Sequence, residues 1–241
     1  MKERVDRLPG GRQFIMQRED LFSYSMDAVL LGKFATVTNK TRRIIDLCSG
    51  TGAVPLVLAE RTDVHMEALE IQKELVAMSR RSMALNQLDD RVKIMHGNVM
   101  NAGDYAPWNQ FDLVTCNPPY FPVMNGADLD CENPFDIARH ELHCTLEGIS
   151  ETAKKLLKSK GRFAMVHRPE RVPEIFEILT RQRFSPKRIR YVHPSIQKEA
   201  NMVLIEAVRD GQPGLTTMPP LIVYDEGQQY TKEFTKHYEY R

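Results

Sequence analysis

The sequence predicts an α/β fold, a mostly parallel sheet with helices on both faces, on two observations. From Arg43 onward short β-rich runs alternate with amphipathic helical stretches long enough to cross a sheet between parallel strands. The chain also has the bulk for a full core: 241 residues, 42% hydrophobic and 27% charged, with no low-complexity tract and no short repeat. Disordered and fibrous classes are excluded by that composition.

The elements follow in order. Val5 to Gln17 alternates loosely on either side of Leu8-Pro9-Gly10-Gly11, a hairpin signature. Ser25-Met26-Asp27 opens a helical stripe of Met26, Val29, Leu30, Phe34 and Val37. Arg43–Cys48 is a strand, Ala53–Arg61 a helix, Val64–Glu70 a strand and Gln72–Asn86 a helix. Further strands are expected at Val92–His96, Phe111–Cys116, Arg162–His167 and Met202–Val208, with helices at Leu142–Leu157 and Pro173–Arg181. Leu221–Tyr224 offers one more short strand in a tail that begins at Gly211. The expected organisation is a hairpin and helix over 1–40, a main domain over 41–210 and an extension over 211–241.

No run of apolar residues reaches membrane-spanning length, and MKERVDRLPGG carries charges where a signal peptide needs an apolar stretch, so a cytoplasmic protein is expected. Four cysteines (Cys48, Cys116, Cys131, Cys144) form no C-x-x-C pair and read as free thiols. Cys131, His140, His143 and Cys144 lack the spacing of a structural zinc site, and no metal is expected. The net charge of +1 is polarised: residues 104–151 hold one basic against nine acidic side chains, and 152–209 hold fourteen against five. A basic block behind an acidic one suits a phosphate-binding face on one side, though lysines solvating helices would give the same count.

In sheets of this kind ligands bind beyond the carboxyl ends of the strands. The first strand runs into Asp46-Leu47-Cys48-Ser49-Gly50-Thr51-Gly52, where the two glycines allow a sharp turn and close approach to a ligand at a helix N-terminus. The spacing is not the G-x-G-x-x-G of dinucleotide sites. The second strand ends in Glu70, followed by Ile71; two carboxylate oxygens can accept from both hydroxyls of a ribose, although an acid opening the next helix would also sit there. The third ends at Asn98-Val99, whose amide oxygen can accept from an adenine amino group. The fourth ends in Asn117-Pro118-Pro119-Tyr120. Its prolines remove N–H donors and leave acceptors, the Asn117 side-chain oxygen and the Pro118 carbonyl, an array that wants an NH₂ group. Holding both hydrogens of a conjugated amine turns its lone pair toward an electrophile and stabilises the charge that develops on nitrogen. Tyr120 adds a face for stacking.

The D-x-x-x-G-x-G loop with N-P-P-Y resembles the class I S-adenosylmethionine-dependent amino methyltransferases over residues 20–208. Phe22-Ser23-Tyr24-Ser25-Met26-Asp27, Ala138-Arg139-His140-Glu141, His167-Arg168-Pro169-Glu170-Arg171 and Pro186–Pro194 extend the resemblance to the bacterial tRNA(Val) adenine-N6 methyltransferases. It implies a Rossmann-like, seven-stranded sheet, S-adenosylmethionine held by Asp27, Asp46, Cys48, Ser49, Gly50, Thr51, Gly52, Glu70, Ile71, Asn98, Val99 and Asn117, and chemistry at Asn117, Pro118, Pro119 and Tyr120. It also implies an RNA partner, a tRNA anticodon loop, with Arg168, Arg171, Lys187, Arg188, Arg190 and Tyr191 as contacts. Asn98 departs from the acidic residue usual in the family. Arg183 to His193 is a basic, aromatic segment without an acid, which fits RNA or an edge strand guarded by charge. Arg139, His140 and Glu141 can line the pocket or form a helix-start ion pair. Alternatives are a protein-glutamine N5 methyltransferase, disfavoured because only about forty residues precede the sheet, an RNA guanine-N2 methyltransferase, and a non-enzymatic RNA-binding scaffold.

Overall fold

A computed structural model describes residues 3–21, 23–123 and 129–238. Phe22 of the family-like segment lies outside them, as do the ends of the two terminal segments.

The hairpin forms as expected, from β1 (Glu3–Arg7) and β2 (Phe14–Arg18), closed by the Leu8 N–H on the Gln13 carbonyl at 2.8 Å. Buried Ile15 and Gln17 mark its inner face, and Phe14 and Met16 donate their N–H groups to Asn86 and Ser82. The next helix, α1 (Met26–Phe34), is shorter than its apolar stripe; Ala35 leaves the helical region and Val37 lies in the loop beyond. Its Gly32 admits α2 (Ala53–Ala59), since a Cβ there would come within 2.7 Å of the Val57 Cβ.

The main sheet alternates with helices from β3 (Arg43–Leu47), through β4 (His65–Glu70), α3 (Lys73–Leu85), β5 (Val92–His96) and β6 (Phe111–Cys116). Then come α4 (Pro134–Arg139), α5 (Leu146–Leu156), β7 (Leu157–His167), α6 (Val172–Arg181), β8 (Phe184–His193) and β9 (Met202–Arg209). The strands lie in the order β8-β9-β7-β6-β3-β4-β5, parallel except for β9, which runs antiparallel to both neighbours. Residues alternate between two cores. Ile44, Leu113 and Ala164 face α1 and α2, while Ile45, Val114 and Phe163 face α5 and α6. With both faces covered the strands are predominantly apolar, which is why they stood out in the sequence.

Three expectations change. The helix expected from Leu142 starts at Leu146, where the Thr145 hydroxyl caps it by accepting the Gly148 N–H at 3.1 Å. The strand expected from Arg162 starts at Leu157, which pairs with Phe111 across a register shift, with Lys160 in the left-handed region. Among the described residues the sheet has nine strands rather than seven: β10 (Thr216–Thr217) and β11 (Leu221–Ile222) add in parallel to the outer edge of β8. A last helix, α7 (Lys232–Tyr238), follows. Leu221, Val223 and Phe234 are buried in the core shared with α1, so the tail is packed rather than appended. No helix among the described residues is long and apolar enough to cross a membrane.

Candidate active site

The strand order reverses between β3 and β6, and a cavity of about 360 Å³ opens at the carboxyl ends of β3, β4, β5 and β6, where the topology places a ligand. Every residue expected to hold the nucleoside except Asp46 and Gly52 lines it, as do all four residues of the N-P-P-Y turn.

The glycine loop is shaped by three left-handed residues, Cys48 (φ 55°), Gly50 (φ 56°) and Gly52 (φ 85°). Gly52 has no substitute: a Cβ would lie 2.4 Å from the Ser79 Oγ, so this glycine sets α2 against α3. At Gly50 a Cβ would meet nothing within 4 Å, which leaves the space above the loop open. Cys48 adopts the same region with a side chain, a strain of about 1–3 kcal/mol. Its thiol sits between Cys116 and Cys144, and contact with Cys116 together with burial raises it well above the usual thiol range.

Glu70 is buried, and each of its oxygens already accepts one backbone N–H at 2.8 Å, Oε2 from Gly50 and Oε1 from Gln72. Burial raises its carboxyl despite those bonds. Each oxygen keeps a second lone pair, so the carboxylate can take two hydroxyls while holding the loop and the start of α3. Asn98 accepts the Met100 N–H at 2.9 Å and donates to the His143 carbonyl at 3.3 Å, which fixes its oxygen at the cavity wall. Leu69, Ile71, Leu75 and Val99 supply the apolar walls that a purine needs. A nucleoside with two ribose hydroxyls and a planar base fits this donor set.

Asp46 departs from the expectation. It lies below the loop, 1% exposed and outside the cavity lining, with Oδ1 accepting the Thr115 hydroxyl at 2.6 Å and the Ser49 hydroxyl beside the carboxyl group. Burial pushes its carboxyl up to about 7. Its place is structural, under the turn.

At the end of β6 the Tyr120 hydroxyl lies 2.6 Å from Asp27 Oδ2 and 2.7 Å from Asn117 Oδ1. A phenol carries one proton, so it satisfies one of these acceptors at a time and leaves the Asn117 oxygen free to exchange partners. Burial, then the Asp27 carboxylate, raises the phenol well above its ordinary range. His167 packs behind the ring at 5.1 Å between centroids. Burial lowers His167 to about 4; it is neutral, with Nδ1 accepting the Arg168 N–H at 2.8 Å.

The six basic-segment candidates separate. Arg168 lines the cavity, 37% exposed and 3.2 Å from Glu170. Arg171 is turned inward: it donates to Glu141 at 2.8 Å, to Glu174 at 2.6 and 2.8 Å, and to the Tyr120 carbonyl at 3.1 Å. Arg188 donates to the Thr36 hydroxyl at 2.7 Å and the Phe34 carbonyl at 3.2 Å, near Glu206. Arg190 is buried on Glu233 and the Pro219 carbonyl. These partners withdraw Arg171, Arg188 and Arg190 from the phosphate contacts expected of them. Lys187 holds the Gln212 and Pro213 carbonyls and, by register, lies toward the end of the sheet away from the cavity, whereas Tyr191 pairs with Val203 near the cavity end. The four metal candidates also diverge: His143 Nε2 donates to the Cys131 carbonyl at 3.2 Å, Cys144 turns to Cys48, and His140 to Phe121.

Sequence reasoning assigned no role to Tyr24, Gln72 and Phe121 in the lining, although Tyr24 lies inside a quoted motif and Phe121 directly follows the N-P-P-Y turn.

The methyltransferase small domain family matches residues 23–182. The chain is 28% identical over 214 residues to the tRNA1(Val) (adenine(37)-N6)-methyltransferase of Parabacteroides distasonis, covering 87% of this chain and 86% of that protein. It is 33% identical over 143 residues to the protein of that name from Bacteroides thetaiotaomicron, covering 58% and 57%. Among solved structures it resembles a predicted O-methyltransferase of Agrobacterium tumefaciens, TM-score 0.71 and 24% identity over 90% of this chain and 99% of that one. It also resembles the Thermus thermophilus 16S rRNA N2 G1207 methyltransferase in complex with AdoMet and guanosine, TM-score 0.59 and 18% identity over 86% and 50%.

Proposed function

The chain belongs to the methyltransferase small domain family, and from that premise we propose that it methylates N6 of an adenine in tRNA, with the N-P-P-Y turn as the catalytic element. It is an S-adenosylmethionine-dependent methyltransferase, and its substrate is RNA. The observation that carries the amino-group reading is the Asn117 oxygen at the cavity wall, contacted by a single phenolic proton that Asp27 can also take, and the relatives' names support adenine as the bearer of that group.

In this proposal Glu70 accepts the ribose hydroxyls, the glycine loop lies against the amino-acid end, and Asn98 and Val99 border the adenine ring. When bound, the sulfonium supplies an electrophilic methyl group. Asn117 and the Pro118 carbonyl each accept one hydrogen of the target amine, which removes the lone pair from conjugation and aims it. The same two dipoles stabilise the positive charge building on nitrogen. As the N–C bond forms and the S–C bond breaks, the nitrogen becomes cationic and acidic enough to lose one N–H proton to water, so no strong base is required beforehand; neutral His167 lies behind the ring and supports Tyr120. Names borne by relatives across most of this chain's length support tRNA over other RNAs.

The test is mass spectrometry of nucleosides from tRNA incubated with the enzyme and labelled cofactor. Labelled N6-methyladenosine is expected; label in guanosine or in protein glutamine would replace the adenine assignment.

A further inference from the structure

Phe121 follows the catalytic turn and lines the cavity, yet 44% of it is exposed. An exposed ring on a loose loop would be unremarkable, but this one sits on fixed backbone. Its N–H donates to the Arg139 carbonyl at 3.0 Å, its carbonyl accepts the Glu141 N–H at 2.9 Å, and it forms a parallel bridge with His140. The His140 ring packs against it at 5.7 Å, tilted by 41°, which sets the ring's orientation.

Two cations line the same cavity as the ring. Arg139 is the sole basic residue of 104–151, a segment with nine acids, and its side chain is exposed at the cavity wall in the last turn of α4. Arg168 lines the cavity as well and stays 37% exposed. A rigid apolar face on a cavity wall that also carries two guanidiniums, continuous with a pocket for one base, has the chemistry to hold the nucleotides beside that base.

We infer that Phe121 is the stacking platform for a nucleotide adjacent to the methylated adenine in single-stranded RNA, with Arg139 and Arg168 on the neighbouring phosphates. This rests on the adenine reading above. It moves the RNA-binding centre from the β8 arginines, which are occupied, to the mouth of the cavity. Extruding one base from a loop unstacks its neighbour, and a ring in that position replaces the lost stack.

The experiment uses the full chain and a short RNA stem–loop with a single loop adenine, 2-aminopurine replacing the nucleotide on either side in turn. Wild type is expected to change the fluorescence at one flanking position. Phe121→Ala should lose that change and lower kcat/KM for the stem–loop about tenfold, a typical loss for one stacked base. Phe121→Trp should retain both, and melting curves report folding of each variant. Arg139→Gln should lower the salt slope of RNA affinity by about one. Wild-type fluorescence and kcat/KM in Phe121→Ala would overturn the inference, as would a loss confined to capture of a protein partner. Failure of wild type to methylate any RNA adenine would instead sink the adenine reading itself.

Discussion

In the proposed mechanism the Asn117 amide oxygen redirects the lone pair of the target amine before its proton leaves. Two substitutions separate binding from chemistry. Asn117→Ala is expected to lower kcat by about 10²–10³, the usual cost of one preorganised polar contact to a transition state, with cofactor affinity little changed by calorimetry. Glu70→Ala should show the reverse emphasis: weaker cofactor binding, and a stability loss of about 1–3 kcal/mol for each N–H left without an acceptor, here those of Gly50 and Gln72. Equal losses of turnover and affinity in both variants would erase the distinction. These residues were legible because strand-end motifs are local: a glycine loop, an acid and a proline-stiffened turn announce themselves within a few residues. Asp46 lies beneath the cavity lining, held by Thr115 from 69 positions away, a pairing that nothing local in the sequence records.

Among the elements, the N-P-P-Y turn is held from outside by Arg171, which joins the Tyr120 carbonyl to Glu141 before α5 and Glu174 in α6. Its side chain and that of Glu141 are 11% and 9% exposed. Removing the guanidinium strands that carboxylate, at a cost of about 2–4 kcal/mol. Arg171→Ala should therefore lower the urea midpoint and also kcat at saturating RNA; Arg171→Lys should recover part of the stability but less of the kcat, since an ammonium cannot fork to three partners. A destabilised variant with full kcat would reduce Arg171 to a structural tie. The inner strands were foreseen because burial on both faces makes them predominantly apolar, whereas the basic β8 was read only as an RNA face or an edge strand. By contrast, α4 spans six residues with none buried, so it leaves no apolar stripe to read. The two-residue strands β10 and β11 exist only because β8 offers an edge, a fact of tertiary structure.

For the molecule as a whole, two buried groups impose opposite pH dependences. Asp46, raised to about 7, keeps a proton that the unfolded chain releases from about pH 4, so its contribution falls as pH rises through that window. His167, lowered to about 4 from 6.5, refuses a proton that the unfolded chain binds, so its contribution falls as pH drops through that range. Between about pH 4 and 6.5 the slopes oppose. Asp46→Asn should then melt at a temperature that climbs with pH more steeply than wild type across this interval, and His167→Gln should climb less; parallel profiles in all three proteins would reject both assignments. The tail matters at this scale too. β8 spans ten residues, and beyond its outer side run only two short strands with Pro213, Pro219 and Pro220 around them. Deleting 211–241 would bare the stretch of the β8 edge that the tail now pairs, at Arg188, Ile189, Val192 and His193, together with the apolar surface under Leu221 and Phe234. Light scattering should therefore show such a fragment growing into polymers by strand-to-strand addition between molecules, where the intact chain stays dispersed.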